Sequence, residues 1–286
     1  MRAATTHALP NGANDPSSRV NKFFPLTSKV GPVLDIRQIP VLSDNYVYLV
    51  RETVSGATAV VDPAVAKPIL QEADRLGWKI THILNTHHHG DHVGGNREIQ
   101  AATGCEIVGP RADRARIPGI QTEVGDGDSY QFGDAPATVF DVPGHTRGHI
   151  AYWFADDDAL FCGDTLFALG CGRVFEGTHP QMWASLKKLR DLPDSTRVFC
   201  AHEYTQANAR FALSVEGGNP DLVARAREID EARARNEPTV PSLLGTEKRT
   251  NPFLRADVPD LAASLGLPGA DPDAVFSEVR TRKDNF

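Results

Sequence analysis

Thr86-His87-His88-His89-Gly90-Asp91-His92 puts four candidate metal ligands, His87, His89, Asp91 and His92, within six positions. On an extended chain, side chains alternate with period two. His87, His89 and Asp91 therefore share one phase, and His88 points the other way. His92 breaks the phase, which needs a tight backbone turn; Gly90 and the Gly94-Gly95 pair permit one, having no Cβ to obstruct it. The run Ile80 to Leu84 before the motif reads as a buried strand. Asn96 to Ala102 after it reads as a short helix. The ligands thus sit where a strand ends and a helix begins, where α/β folds place their sites.

Imidazole and carboxylate donors without sulfur suit zinc, and iron or manganese accept the same set. The spacing predicts two divalent ions. The two-apart histidine pair chelates one, and Asp91 and His92, past the turn, face a neighbour about 3.5–4 Å away, a hydrolytic arrangement. A histidine-rich surface tract is the competing reading; the acid and the glycines in place count against it.

Two ions need further ligands. Pro143-Gly144-His145-Thr146-Arg147-Gly148-His149 follows the apolar run Ala137 to Val142. Phe161-Cys162-Gly163-Asp164-Thr165 and Val198-Phe199-Cys200-Ala201-His202-Glu203-Tyr204 close two further strands. A single histidine at a strand end is more often a buried or capping residue. Three such ends joined to the first motif make one site the better reading.

The order His-x-His-x-Asp-His, then His, Asp and His, resembles the metallo-β-lactamase superfamily. Within it the chain is similar to the glyoxalase II family, the hydroxyacylglutathione hydrolases, from about Val33 to Phe286. The resemblance includes Leu42-Ser43-Asp44-Asn45-Tyr46, Val61-Asp62-Pro63, Gly163-Asp164-Thr165-Leu166-Phe167 and Gly170-Cys171-Gly172-Arg173. It continues through Glu176-Gly177-Thr178, Ala201-His202-Glu203-Tyr204-Thr205, Asn251-Pro252-Phe253-Leu254-Arg255 and Arg280-Thr281-Arg282-Lys283-Asp284. The first motif is shared widely across the superfamily; the later ones are more specific.

That resemblance implies a four-layer αββα sandwich over 33–203, an α/β fold, with a small helical substrate-binding domain over 204–286. It implies that His87, His89 and His145 hold one metal, that Asp91, His92 and His202 hold the second, and that Asp164 bridges them. His149 would support the ligands from behind. Arg173, Tyr204, Arg280 and Lys283 would contact the substrate. The family often has Lys where Arg173 stands, which keeps the charge, and Tyr where Phe175 stands, which loses a hydroxyl.

The implied reaction is hydrolysis of S-D-lactoylglutathione to D-lactate and glutathione, a step of methylglyoxal detoxification. Asp91 would also orient the attacking water. The leaving thiolate, with a pKa near ~8.5 for a simple thiol, needs no strong general acid. The competing activity is a glutathione persulfide dioxygenase of the same superfamily, with one iron. The Phe175-Glu176-Gly177-Thr178 stretch and the helical region favour the hydrolase.

Composition narrows the partners. The net charge of −7 argues against nucleic acid. No apolar run approaches the ~18 residues of a membrane span. Cys105, Cys162, Cys171 and Cys200 form no Cys-x-x-Cys pair, so they suggest a reducing, cytoplasmic setting. Met1 to Pro32 lacks a secretory h-region and reads as a disordered extension, with mitochondrial targeting left open. A monomer is expected.

Strands are expected at Asp35 to Pro40, Tyr46 to Val50 and Ala57 to Asp62, and a helix at Lys67 to Leu76 closed by Gly77. Strands and helices are then expected to alternate up to Ala201. Beyond His202, Tyr204, Phe211 and Val215 fall on one helical face. Asn219-Pro220 opens a further helix carrying Leu222, Ala226 and Ile229.

Overall fold

Strand Asn45–Glu52 is buried along nearly its whole length, which only a strand covered on both faces allows. Tyr46, Tyr48 and Val50 enter one core, and Val47 and Leu49 enter another on the opposite face. The computed structural model describes residues 34–286 and Met1. The extension and targeting readings of residues 1–32 lie outside the described residues.

The first sheet runs in chain order from β1 (Leu34–Val41) through β2 (Asn45–Glu52), β3 (Thr58–Val61), β4 (His82–Leu84) and β5 (Glu106–Pro110) to β6 (Thr122–Val124). Its first three strands are antiparallel and its last three continue in parallel from β3. The parallel crossovers carry α1 (Lys67–Leu76), α2 (Gly90–Val93) and α3 (Asn96–Thr103). Gly77 closes α1 at φ 67°, as its sequence predicts. Ile69, Ala73 and Ile99 of these helices pack on Val47, Leu49, Val60, Ile83 and Ile107 of the sheet.

The second sheet starts with β7 (Ser129–Phe132), β8 (Ala135–Asp141), β9 (Ile150–Phe154) and β10 (Ala159–Gly163). A small hairpin, β11 (Leu166–Phe167) with β12 (Gly170–Cys171), then leads to α4 (His179–Arg190) and β13 (Arg197–Cys200). Helices α5 (Thr205–Glu216) and α6 (Pro220–Ala234) follow, then β14 (Ser242–Leu243), α7 (Leu244–Thr250), α8 (Pro259–Ser264) and α9 (Pro272–Asp284). The order across this sheet is β14-β13-β10-β9-β8-β7. Its inner face, with Phe132, Val139, Tyr152 and Phe161, meets Tyr48, Val61 and Leu84 of the first sheet. Trp183 of α4 is buried beyond it, with Phe276 of α9 stacked at 5.8 Å. These layers make the αββα sandwich that the resemblance implies.

The expected alternation of strands and helices fails between α3 and α4. Among the described residues that stretch holds strands and two single 3-10 turns, Arg111–Asp113 and Ala155–Asp157. From β7 to β10 its strands are antiparallel neighbours, so no crossover helix is needed; a turn at Gly133, at φ 56°, joins β7 to β8.

The helical region grips the β11–β12 hairpin with buried polar side chains. Asn251 donates to the carbonyls of Phe167 and Gly170 at 3.1 and 3.0 Å, and Asn208 to that of Ala168 at 3.1 Å. The Leu169 amide donates to Glu247 at 2.9 Å, and Arg280 donates to the Cys171 carbonyl at 3.1 Å. Glu247 is itself paired with Arg225. Among the described residues, no helix is long and apolar enough to cross a membrane.

Candidate metal centre

The chain leaves β4 into Asn85 and Thr86, and the Thr86 amide and hydroxyl both donate to Asp62 at 2.7 Å. His89 is still extended, at φ −61° and ψ 147°, and the chain then turns into α2. Asp91 therefore belongs to a helical turn, not to the extended phase that the spacing suggested. Gly94 lets that turn press on the Ala64 carbonyl, which an added Cβ would strike. Gly163, at φ 47°, brings the end of β10 against the Thr86 hydroxyl in the same way.

Two donor groups result. Ligand atoms of His87, His89 and His145 lie within 4.8 Å of one another, and so do those of Asp91, His92 and His202. In the first group, His145 Nε2 and His89 Nδ1 are 3.0 Å apart. In the second, Asp91 Oδ2 is 3.5 Å from His202 Nε2 and 3.6 Å from His92 Nε2. Asp164 stands between the groups. Its Oδ2 is 3.4 Å from His145 Nε2, and its Oδ1 is 3.4 Å from both His92 Nε2 and His202 Nε2.

The donors fit a cation. His87 Nε2, His92 Nε2 and Asp164 Oδ1 are buried with no hydrogen-bond partner among the described residues. Buried polar atoms are rarely left so, and three converging in one place suit a bound cation. The outward ring nitrogens are held. His87 Nδ1 meets Thr86 Oγ1 at 3.1 Å, His92 Nδ1 meets Asp62 at 3.1 Å, His145 Nδ1 meets the Arg173 carbonyl at 2.8 Å, and His202 Nδ1 meets Asp44 at 2.8 Å. Such partners fix each ring and its tautomer. A third grouping, Asp62 with His87 and His92, also meets the distance test. Asp62 is instead occupied by Thr86 and by the outward nitrogen of His92, so it holds those side chains in place.

Charge follows the same division. Burial, helped by neighbouring imidazoles, holds His87 well below the usual histidine range and lowers His89 as well. Burial also lowers His145, against the pull of Asp164. These rings are neutral, the form that donates a lone pair. Burial opposes charge on His92 and His202 too, but Asp164, with Asp62 or Asp44, raises both. Asp164 stays ionised despite its burial because His92 and His202 hold it well below the usual carboxylate range. The pocket attracts positive charge. His149 lies behind it, stacked on His87 at 4.4 Å and accepting from the Asp164 amide at 3.1 Å. His88 turns away to Asp113, 3.1 Å distant.

The expected substrate contacts scatter more. Tyr204 caps α5 and lies flat on His202 at 4.6 Å, half exposed, so it does not share the buried face of Phe211 and Val215. Arg173 is exposed, 3.4 Å from Asp284. Lys283 is half-buried over Phe211 and Phe286; burial, then the nearby Arg280 and Arg210, pushes its ammonium down to about 8. Arg280 is 4% exposed. Its guanidinium bonds Cys171 and Asp284 and covers Phe253, so it and Lys283 do not present one shared face. Phe175, 60% exposed, stands 5.3 Å from the His145 ring. Asp44, Asn45, Asp62 and Thr86 are the supporting residues that the ligand spacing does not reveal. Asp44, Asn45 and Asp62 lie inside family-like motifs, which was their only signal.

Residues 42–202 match the family model of the metallo-beta-lactamase superfamily, and residues 203–286 match that of the hydroxyacylglutathione hydrolase C-terminus. The hydroxyacylglutathione hydrolase of Methylococcus capsulatus is 60% identical over 254 residues, 89% of this chain and 99% of that protein. That of Rhodospirillum rubrum is 60% identical over 253 residues, 88% and 99% of the two chains. Among solved structures, ETHE1 from Myxococcus xanthus superposes with a TM-score of 0.59 at 24% identity, over 87% of this chain and 98% of that one, a likeness of fold.

Proposed function

The chain belongs to the hydroxyacylglutathione hydrolase family of the metallo-beta-lactamase superfamily, and from that premise we propose that it hydrolyses S-D-lactoylglutathione to D-lactate and glutathione. Other 2-hydroxyacyl thioesters of glutathione belong to the same substrate class. The observation that carries the reading is the pair of donor groups joined by Asp164, with donor atoms buried and otherwise unbonded. His87, His89 and His145 would hold one ion, Asp91, His92 and His202 the other, and Asp164 would bridge. Zinc is the ion we assign, since imidazole and carboxylate donors without sulfur suit it; iron and manganese take the same set. When bound, such ions polarise a carbonyl oxygen and acidify water.

The protein's own groups do the rest. Asn45 donates to Asp91 at 3.0 Å and fixes that partly exposed carboxylate, whose remaining lone pairs can accept from the attacking water. Tyr204, stacked on His202 and partly exposed, is the aromatic contact we assign to the substrate. Glutathione brings two carboxylates, and Arg173 and Lys283 are the cations we assign to them. Arg280 acts beneath them, through Asp284, which also meets Arg173. A thiolate is a good enough leaving group to depart without a strong general acid.

The separate second group, with its own unbonded His92 nitrogen, supports two ions over the single iron of a persulfide dioxygenase. All seven donors come from one chain, so a monomer, the state we expect, would hold a complete site; four buried free cysteines support the cytoplasm. Purified protein should contain two metals per chain and turn over S-D-lactoylglutathione but not glutathione persulfide. Oxygen consumption with the persulfide, or one metal per chain, would defeat the assignment.

A further inference from the structure

His88 sits in the middle of the ligand motif without serving as a ligand. Its Nδ1 donates to Asp113 Oδ2 at 3.1 Å, and its Nε2 accepts from Arg116 Nη1 at 3.1 Å. These two bonds fix the ring's orientation. Asp113 is 3% exposed, and its other oxygen takes Arg116 Nε at 3.1 Å. Arg116 then reaches a second carboxylate, with Nη1 and Nη2 donating to Glu176 at 2.5 and 3.0 Å. Glu176 also accepts the Arg147 amide at 2.9 Å. Gly148 packs so closely on the Asp113 carboxyl that an added Cβ would collide with it.

This network touches the ligand loops unevenly. His87 and His89 each adjoin His88, and His145 lies two positions before Arg147. Asp91, His92, Asp164 and His202 all lie farther from every member of the network. The loop bearing Glu176 also carries Phe175, packed on His145, and Arg173, whose carbonyl holds the His145 ring. One guanidinium therefore ties together the three loops that shape the first donor group, and its bonds do not reach the ligands of the second.

We propose that Arg116, with Asp113 and Glu176, is a positioning device for the His87–His89–His145 ion alone, so that the two metals can be loosened independently. The proposal rests on the binuclear reading above. Arg116 makes two forked bonds to carboxylates, a geometry that lysine cannot copy. Charge alone predicts the opposite sign, because removing a cation near two metal ions should tighten both.

The test is zinc binding under chelator competition, with thermal unfolding run in parallel. Wild-type protein should take up two zinc ions; fewer would overturn the binuclear reading itself, and this proposal with it. Two backgrounds then isolate the sites: His202→Ala leaves the first group whole, and His89→Ala leaves the second. In the His202→Ala background, Arg116→Met should weaken the remaining zinc site by about ten- to hundredfold, the usual effect of removing a ligand's support. In the His89→Ala background, the same change should leave zinc affinity within about twofold. Arg116→Lys, which keeps the charge, should weaken the first site less than Met does and stands in if the Met variant fails to fold. Equal weakening in both backgrounds, tightening, or no change in the first would overturn the proposal.

Discussion

Replacing Arg280 with alanine separates two roles for that residue. If it grips substrate at the surface, its loss should raise KM and leave stability alone, since exposed substitutions cost within about 0.5 kcal/mol. The structure predicts otherwise. The lost bond to the buried Cys171 carbonyl costs roughly 1.5–3 kcal/mol, as for other charge-assisted bonds. Its pairing with Asp284, which is 28% exposed, is worth only about 0.5–1 kcal/mol. The stem and its cationic head over Phe253 add about 1 kcal/mol. The total is about 3–5 kcal/mol, enough to lower Tm by about 10 °C in a chain of this size. Arg280→Met keeps the stem but not the cationic head and should recover about 0.5 kcal/mol of that loss. Thermal unfolding followed by steady-state kinetics on S-D-lactoylglutathione measures both sides. KM should rise as well, because Asp284, without Arg280 to fix it, no longer anchors Arg173 in place. An unchanged Tm with a raised KM would refute the internal role and restore a direct grip on substrate.

Other changes test other parts of the site. Asp164→Ala should reduce metal content at both donor groups, read by metal analysis, whereas His202→Ala should lower only one. Lys283 is charged below its value of about 8 and loses that charge as pH rises through it. KM for the thioester should therefore climb above about pH 8, and Lys283→Arg, which stays charged, should flatten that rise. Gly163→Ala puts a Cβ into the Thr86 hydroxyl at a left-handed φ, so Tm should fall by several degrees and zinc affinity should drop with the displaced Thr86–Asp62 bonds.

Much of the frame is local and so was legible. Lys67 to Leu76 with Gly77 carries its own helical period and stop, and Asn219-Pro220 its own start; the structure keeps both. The candidate donors announce themselves because their motifs follow apolar runs. Their supports do not. Asp62 meets His92 across 30 positions and Asp44 meets His202 across 158, and an aspartate's neighbours in sequence carry no mark of the distant imidazole it will face. The meander β7–β10 was hidden for another reason: its strands are short, and a glycine turn occupies no more chain than a loop before a helix. Arg280 and Lys283 show the limit of spacing, which gives direction around a helix but not what lies against it.

The β11–β12 hairpin bears on how such chains can be recombined. Its backbone carbonyls and the Leu169 amide are matched to side chains drawn from three separate helices and the turn after α7. A chimera that takes its C-terminal helices from a relative, with the join at Glu203, would inherit Asn208, Glu247, Asn251 and Arg280 from one parent and the hairpin from the other. The safe exchange unit is discontinuous: residues 166–171 must travel with the helices, although the chain between them includes β13 and the donor-group residue His202.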